Sequence, residues 1–199
     1  MKYQVSVTES ESEQHFQRVS KDLLVHNAAQ GVNYWGGSPH PTMLIWAGRI
    51  YDFLKVLEGL VGHLPARRHS YLVGYGSGFE GAKANREIVQ GENPEAFAVQ
   101  LLLAASPILA GAGWGRCAIE YERDEGTITW EFPSGTAVGL AARLEGIRER
   151  PACAFMAGYV AGWTNQALGT AVEFRELECV ARGDARCLFR SAEFLRFRP

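Results

Sequence analysis

Apolar residues three or four positions apart predict helices along much of the first half of the chain. From Arg49 to Leu64 they recur on one face, which is typical of a helix packed against a core. Asn93-Pro94 begins another helix, and Ser106-Pro107 is expected to end it because proline interrupts helices. The same spacing predicts further helices over 9–21, 66–90, 136–148 and 151–162.

The second half of the chain contains short segments with the alternating pattern of strands. Residues 115–121 and 127–132 predict one hairpin. Residues 171–177 and 186–192 predict a second hairpin, with a tight turn at Gly183-Asp184. Helices in the middle of the chain and hairpins on either side predict an α+β domain rather than a doubly wound parallel sheet.

Three glycines interrupt the helical pattern of residues 66–90 at every second position: Gly74, Gly76 and Gly78. Glycine lowers helix stability, so this repeat predicts close packing against another backbone or a kink. A phosphate-binding loop would follow a strand and end in Lys-Ser or Lys-Thr, and this segment has neither feature. We therefore interpret the glycines as a packing feature.

Composition and charge narrow the possible functions. The chain has 199 residues, 47% of them hydrophobic and 21% charged, as in a globular domain that can form a core without disulfides. The net charge of -2 gives no electrostatic signal for direct contact with nucleic acid. The sequence shows neither a membrane-length apolar run nor a secretory signal, so we predict a cytoplasmic protein without a membrane segment.

Four cysteines are the main candidates for chemistry. In a reducing compartment they are better interpreted as thiols or metal ligands than as disulfides. Cys179 and Cys187 flank the predicted tight turn, and Glu176 precedes Cys179 by three residues. Cys153, at the start of the preceding helix, supplies a fourth ligand for zinc, although spacing alone leaves buried thiols equally open. Cys117 lies on an apolar strand and is interpreted as a buried core thiol.

Three segments of the last third, residues 153–163, 174–179 and 183–187, together carry a specific motif. They strongly resemble the 4-vinyl-reductase domain, in the version found at the N-terminus of aromatic-responsive, NtrC-type transcription activators. The resemblance implies mixed helices and an antiparallel sheet enclosing an apolar ligand pocket, with a C-terminal zinc-binding hairpin. The implied ligands of the structural zinc are Cys153, Glu176, Cys179 and Cys187. The implied organisation is an arm and dimerisation region at 1–40 and a sensing domain at 41–199, with its zinc lobe at 150–192.

The same resemblance assigns residues to the pocket. Trp130 and Phe174 match pocket aromatics of the family. The family's phenol sensors carry a histidine that hydrogen-bonds the phenolic hydroxyl, and Ala110 occupies the matching position in this chain. The prediction is therefore a pocket for an apolar or aromatic molecule in which phenol itself has lost its anchor. Further candidates for the pocket walls are Phe132, Tyr159 and Ile108.

Two functions fit this sequence. The first is a homodimeric, non-enzymatic sensor domain that binds such a molecule and regulates an attached or partner transcription activator. The second is a stand-alone carrier or accessory protein for a hydrophobic ligand such as a tetrapyrrole intermediate, which the family's name suggests. The sequence shows no dinucleotide fingerprint and no nucleophile with a matched base, and four protein ligands would leave zinc without an open position, so we predict no enzyme activity.

Overall fold

The computed structural model describes residues 1–27, 32–35, 41–42 and 47–192. They form an α+β fold, which confirms the predicted class. The helices are α1 (Glu9–Arg18), α2 (Ala47–Val61), α3 (His63–Ala84), α4 (Pro94–Gly111), α5 (Ala137–Arg143) and α6 (Ala154–Leu168). The strands are β1 (Lys2–Val5), β2 (Leu24–Asn27), β3 (Val32–Trp35), β4 (Pro41–Thr42), β5 (Ala118–Glu122), β6 (Thr127–Phe132), β7 (Phe174–Glu178) and β8 (Cys187–Ser191).

A five-stranded antiparallel sheet carries one side of the core. Its strand order is β1-β5-β6-β8-β7, so the C-terminal hairpin joins the earlier one through β6 and β8. Every second residue of β6 is buried, and Trp130 lies opposite Ile119 on one neighbour and Phe189 on the other. The alternation that predicted this strand therefore corresponds to a single face on the core. Strands β2, β3 and β4 form a separate three-stranded sheet.

Helices α3 and α6 cross at very short range because glycines of both helices lie at the contact. A Cβ at Gly74 or Gly78 would overlap a backbone carbonyl of α6, and a Cβ at Gly158 or Gly162 would overlap one of α3. Gly76, in contrast, has open space around it. The packing interpretation of the glycine repeat is thus confirmed for Gly74 and Gly78 and wrong for Gly76.

Helix α4 continues past the point where it was predicted to end. It runs through Ser106 and Pro107 to Gly111, so the predicted end before Ser106-Pro107 is wrong. The reason is tertiary packing: Leu102 and Leu109, on either side of the proline, are both completely buried. That burial outweighs the backbone hydrogen bond that proline removes from the helix.

The connection between β7 and β8 is longer than the tight turn that was predicted. A 3₁₀ turn at Val180–Arg182 precedes Gly183, whose φ of 94° is a left-handed conformation suited to glycine. Strand β7 bulges between Glu176 and Glu178, which changes its register against β8. Among the predicted helices near this lobe, α5 ends early at Arg143 and α6 extends beyond Gly162 to Leu168.

Candidate metal centre and apolar core

Three cysteine sulfurs meet where α5, α6 and the β7–β8 connection come together. Cys153 directly precedes α6, Cys179 follows β7 and Cys187 begins β8. The Sγ atom of Cys153 lies 3.6 Å from that of Cys179 and 3.9 Å from that of Cys187. All three side chains are completely buried, and their ligand atoms lie within 4.8 Å of one another. A disulfide requires a sulfur–sulfur distance of about 2.05 Å, so all three are free thiols.

The cluster has the dimensions of a zinc site. Two sulfurs bound tetrahedrally to zinc, each at about 2.3 Å, are about 3.8 Å apart, close to the distances observed here. Gly139 of α5 provides the space, because a Cβ there would lie 3.0 Å from the sulfur of Cys153 and 3.1 Å from that of Cys187. Soft sulfur ligands, complete burial and this spacing together fit a structural metal.

Hydrogen bonding within the cluster distributes its protons unequally. The hydrogen bond with Cys179 raises the pKa of Cys153 well above its ordinary range. The hydrogen bond from Cys153 lowers the pKa of Cys187 to about 3, so the cluster holds a thiolate at neutral pH. A thiolate is the form of cysteine that binds metal.

Glu176, the fourth predicted ligand, lies beside the three sulfurs but outside their set. The backbone N–H of Cys153 donates to its two carboxylate oxygens at 3.1 and 3.2 Å. Nη2 of Arg67 donates to the same carboxylate at 3.4 Å. Burial raises the pKa of this carboxyl well above its ordinary range, since only 1% of the side chain is exposed. The structure thus brings Glu176 to the cluster through the backbone of one of the cysteines.

Several residues that support the cluster were not predicted from the sequence. The hydroxyl oxygen of Thr136, which caps α5, lies 3.2 Å from the sulfur of Cys153. Asp184 accepts a hydrogen bond from the backbone N–H of Cys179 at 2.7 Å and so closes the turn. The Gly183-Asp184 pair is a sequence signal for that turn, whereas Thr136, Gly139 and Arg67 reach the cluster from distant segments.

The aromatic residues predicted to line the pocket lie in one continuous core. Trp130 and Phe132 are on the buried face of β6, Phe174 begins β7 and Tyr159 is on α6. Ala110 is buried on α4 without belonging to that core, whereas Ile108 is partly buried and packs against it. The structure therefore brings the four aromatic residues into one core and places the other two at its edge.

Trp130 carries the most informative polar atom in this core. Its ring is completely buried, and its Nε1–H group finds no acceptor among the residues that the structure describes. The equally buried Trp163 donates from Nε1 to the carbonyl of Leu101 at 2.9 Å. Buried N–H groups normally have a partner, so the donor of Trp130 is available to a bound molecule.

A surface cleft of about 130 Å³ lies between α1 and α4. Ile108 is the one predicted pocket residue among those that line it. This volume is below the roughly 300 Å³ at which sites for drug-sized ligands begin. The other residues lining the cleft are His15, Arg18, Val19, Val89, Ala104 and Pro107.

Helix α4 is long and apolar enough to cross a membrane by length and composition, and half of it is buried in the fold. No such segment was predicted from the sequence, because the helix was expected to end before Pro107. A core helix that is mostly enclosed by its own domain passes the same test.

Comparison with known proteins places this geometry in a family. Residues 140–193 match the 4-vinyl-reductase domain, which confirms the resemblance drawn from the cysteine motif. The fold is similar to the crystal structure of the phenol-responsive sensory domain of the transcription activator PoxR with phenol, at a TM-score of 0.74 and 19% identity. That likeness covers 96% of this chain and 94% of the other.

Two further comparisons add less. A vinyl-4-reductase family protein from Methanocaldococcus jannaschii is 17% identical over 76% of this chain and 97% of that one, but the TM-score of 0.38 is too low to carry an argument. No curated protein sequence matches the chain. The segment that holds the three cysteines, residues 140–193, therefore belongs to the 4-vinyl-reductase domain family, and the chain shares the fold of the PoxR sensory domain.

Proposed function

We propose that this chain is a non-enzymatic sensor domain that binds an uncharged, apolar or aromatic molecule in its core. The observation that carries the proposal is the buried Nε1–H group of Trp130 without an acceptor in the described structure. Leaving such a group unpaired costs about 1–3 kcal/mol, and a ligand with an acceptor atom recovers that cost. The fold of a phenol-responsive sensory domain supports the same function.

The proposal includes one structural zinc ion held by Cys153, Cys179, Cys187 and Glu176. The three buried sulfurs support it by their spacing, and Glu176 is the carboxylate next to them. Four protein ligands leave no open position on the metal, so zinc would hold the lobe together and take no part in catalysis. Glu176 would have to turn from the backbone of Cys153 toward the sulfurs to complete the set.

In this function the domain acts as a homodimer and regulates an attached or partner transcription activator. The support is the similarity to the sensory domain of PoxR, which is described as a transcription activator. The predicted dimerisation region, residues 1–40, is described only in part: β1 joins the main sheet, and residues 28–31 and 36–40 lie outside the described residues. Cytoplasmic localisation belongs to the same proposal.

Calorimetric titration with two aromatic molecules of similar size tests ligand binding. Benzonitrile has a nitrogen that accepts a hydrogen bond from Trp130, and toluene has no acceptor. We expect the native chain to bind both, and Trp130→Phe to bind benzonitrile about tenfold more weakly while its affinity for toluene stays the same. Failure of the native chain to bind any aromatic molecule would contradict the sensor function. Tight binding of a tetrapyrrole instead would favour a carrier.

A further inference from the structure

Arg67 joins helix α3 to both ends of the segment that carries Cys153. Its Nη1 atom donates to the carbonyl of Pro151, and its Nη2 atom donates to Glu176 at 3.4 Å. Glu176 in turn accepts the backbone N–H of Cys153. The guanidinium therefore holds the residue two positions before the first cysteine and the carboxylate that holds the cysteine itself.

The charge of Arg67 matters because the site is buried. Three thiolates and one carboxylate exceed the charge of a divalent ion by two, and uncompensated buried charge is strongly unfavourable. Arg67 is the cation that hydrogen-bonds the carboxylate of Glu176, whose side chain is almost completely buried. Arg182 also lies near the cluster, but its guanidinium donates to Asp184 and to the carbonyl of Leu177.

We propose that Arg67 is a positioning residue for the metal centre, which fixes the orientation of Glu176 and so sets the affinity and the coordination of the metal. The inference rests on the metal site proposed above. It assigns a role in metal binding to α3, a helix that supplies no ligand of its own. Because α3 also packs on α6 through its glycines, Arg67 ties the main helical contact of the fold to the metal lobe.

The neighbouring Arg68 provides a matched control. It is also on α3 and also donates to a glutamate, Glu173, at 3.1 Å. Both members of that pair are largely exposed, with side-chain exposures of 59% and 67%, and neither contacts a cysteine. Exposed pairs of this kind contribute little to stability, so Arg68→Met removes the same charge without touching the metal centre.

Cobalt(II) is a suitable probe, because its visible absorption reports the ligands and its titration gives the affinity. We expect Arg67→Met to weaken cobalt binding about 10- to 100-fold and to change the visible spectrum, as loss of residues that orient metal ligands does. Arg68→Met should match the native chain in both respects. Arg67→Lys, which keeps the charge but not the two-pronged geometry, should be intermediate and keeps the test valid if Arg67→Met fails to fold.

A double variant shows whether Arg67 acts through Glu176. If it does, Arg67→Met adds no further loss of cobalt affinity to Glu176→Gln, whereas independent effects would add. Native-like affinity and spectrum in Arg67→Met, or additive losses in the double variant, would overturn this inference while leaving the metal site standing. Failure of the native chain to bind cobalt would overturn the metal site and this inference together.

Discussion

Two completely buried tryptophans differ by one hydrogen bond. Trp163 donates to the carbonyl of Leu101, and Trp130 has no acceptor within the described chain. Replacement by phenylalanine therefore removes a favourable bond at 163 and an unpaired donor at 130. We expect Trp163→Phe to lower the free energy of unfolding by at least about 1 kcal/mol more than Trp130→Phe. Urea unfolding measures the difference, and equal losses would mean that Trp130 has a partner in the free protein.

The three clustered cysteines and Cys117 are all buried, but they should respond differently to substitution. Burial raises the pKa of Cys117 to about 12, so it remains a neutral thiol outside the cluster. We expect the native chain to contain about one zinc ion and Cys187→Ala to contain almost none. The melting temperature of Cys187→Ala should fall by roughly 5 °C or more, because the metal contributes directly to folding.

Elemental analysis of protein prepared without chelators, together with thermal unfolding, checks both effects. Cys117→Ala is the control: it also truncates a buried side chain but should keep the full zinc content. Full zinc and unchanged stability in Cys187→Ala would show that the ligand set is wrong.

The residues of the candidate metal site fall into two groups by how far sequence could predict them. Cys179 and Cys187 are eight positions apart and share one turn, so local spacing was enough to pair them. Cys153 and Glu176 needed the family resemblance, because no local pattern relates them. Gly139 could not be predicted from sequence, since its importance lies in the space beside sulfurs supplied by distant segments.

At the scale of elements, the contact between α3 and α6 depends on where a Cβ can be accommodated. Alanine at Gly78 would drive its Cβ into the carbonyl of Tyr159, whereas alanine at Gly76 would meet nothing within 4 Å. We expect Gly78→Ala to destabilise the fold by about 2 kcal/mol or more. Gly76→Ala should stabilise it by about 0.5–1 kcal/mol, because alanine favours the helix.

Chemical denaturation of the two variants gives opposite signs in this prediction. The pair is well matched, since the two positions are on the same helix, two residues apart, and undergo the same substitution. Destabilisation by both substitutions to the same extent would argue against the close helix crossing.

Elements were predicted well where one physical effect dominates. The alternation of Ile128, Trp130 and Phe132 predicted β6 because one face of that strand is completely buried. The end of α4 was predicted wrongly at Pro107, because proline counts as a helix breaker only until the packing of the flanking leucines is known. Local rules fail at this position because the stabilising contacts come from other parts of the chain.

At the scale of the whole molecule, the main sheet connects the two candidate sites. Phe132 pairs with Cys187 across β6 and β8, and Trp130 pairs with Phe189 two residues further along. A metal that fixes the start of β8 would therefore also fix the strand next to the pocket tryptophan. Sequence predicted the two hairpins separately, but it could not predict that β6 and β8 are neighbours, because that pairing joins segments that are distant in the chain.

The choice between phenol and a hydrocarbon follows from the polar groups of the whole core. With Ala110 at the position matched to the histidine of phenol sensors, that position supplies no partner for the hydroxyl hydrogen, and an unpaired hydroxyl costs about 1–3 kcal/mol, or about one to two decades of affinity. Toluene avoids this cost and still gains roughly 25 cal/mol per Å² of buried apolar surface. We therefore expect calorimetry to show toluene binding more tightly than phenol, and Ala110→His to narrow the gap. Tight phenol binding by the native chain would mean that another polar residue has replaced the histidine.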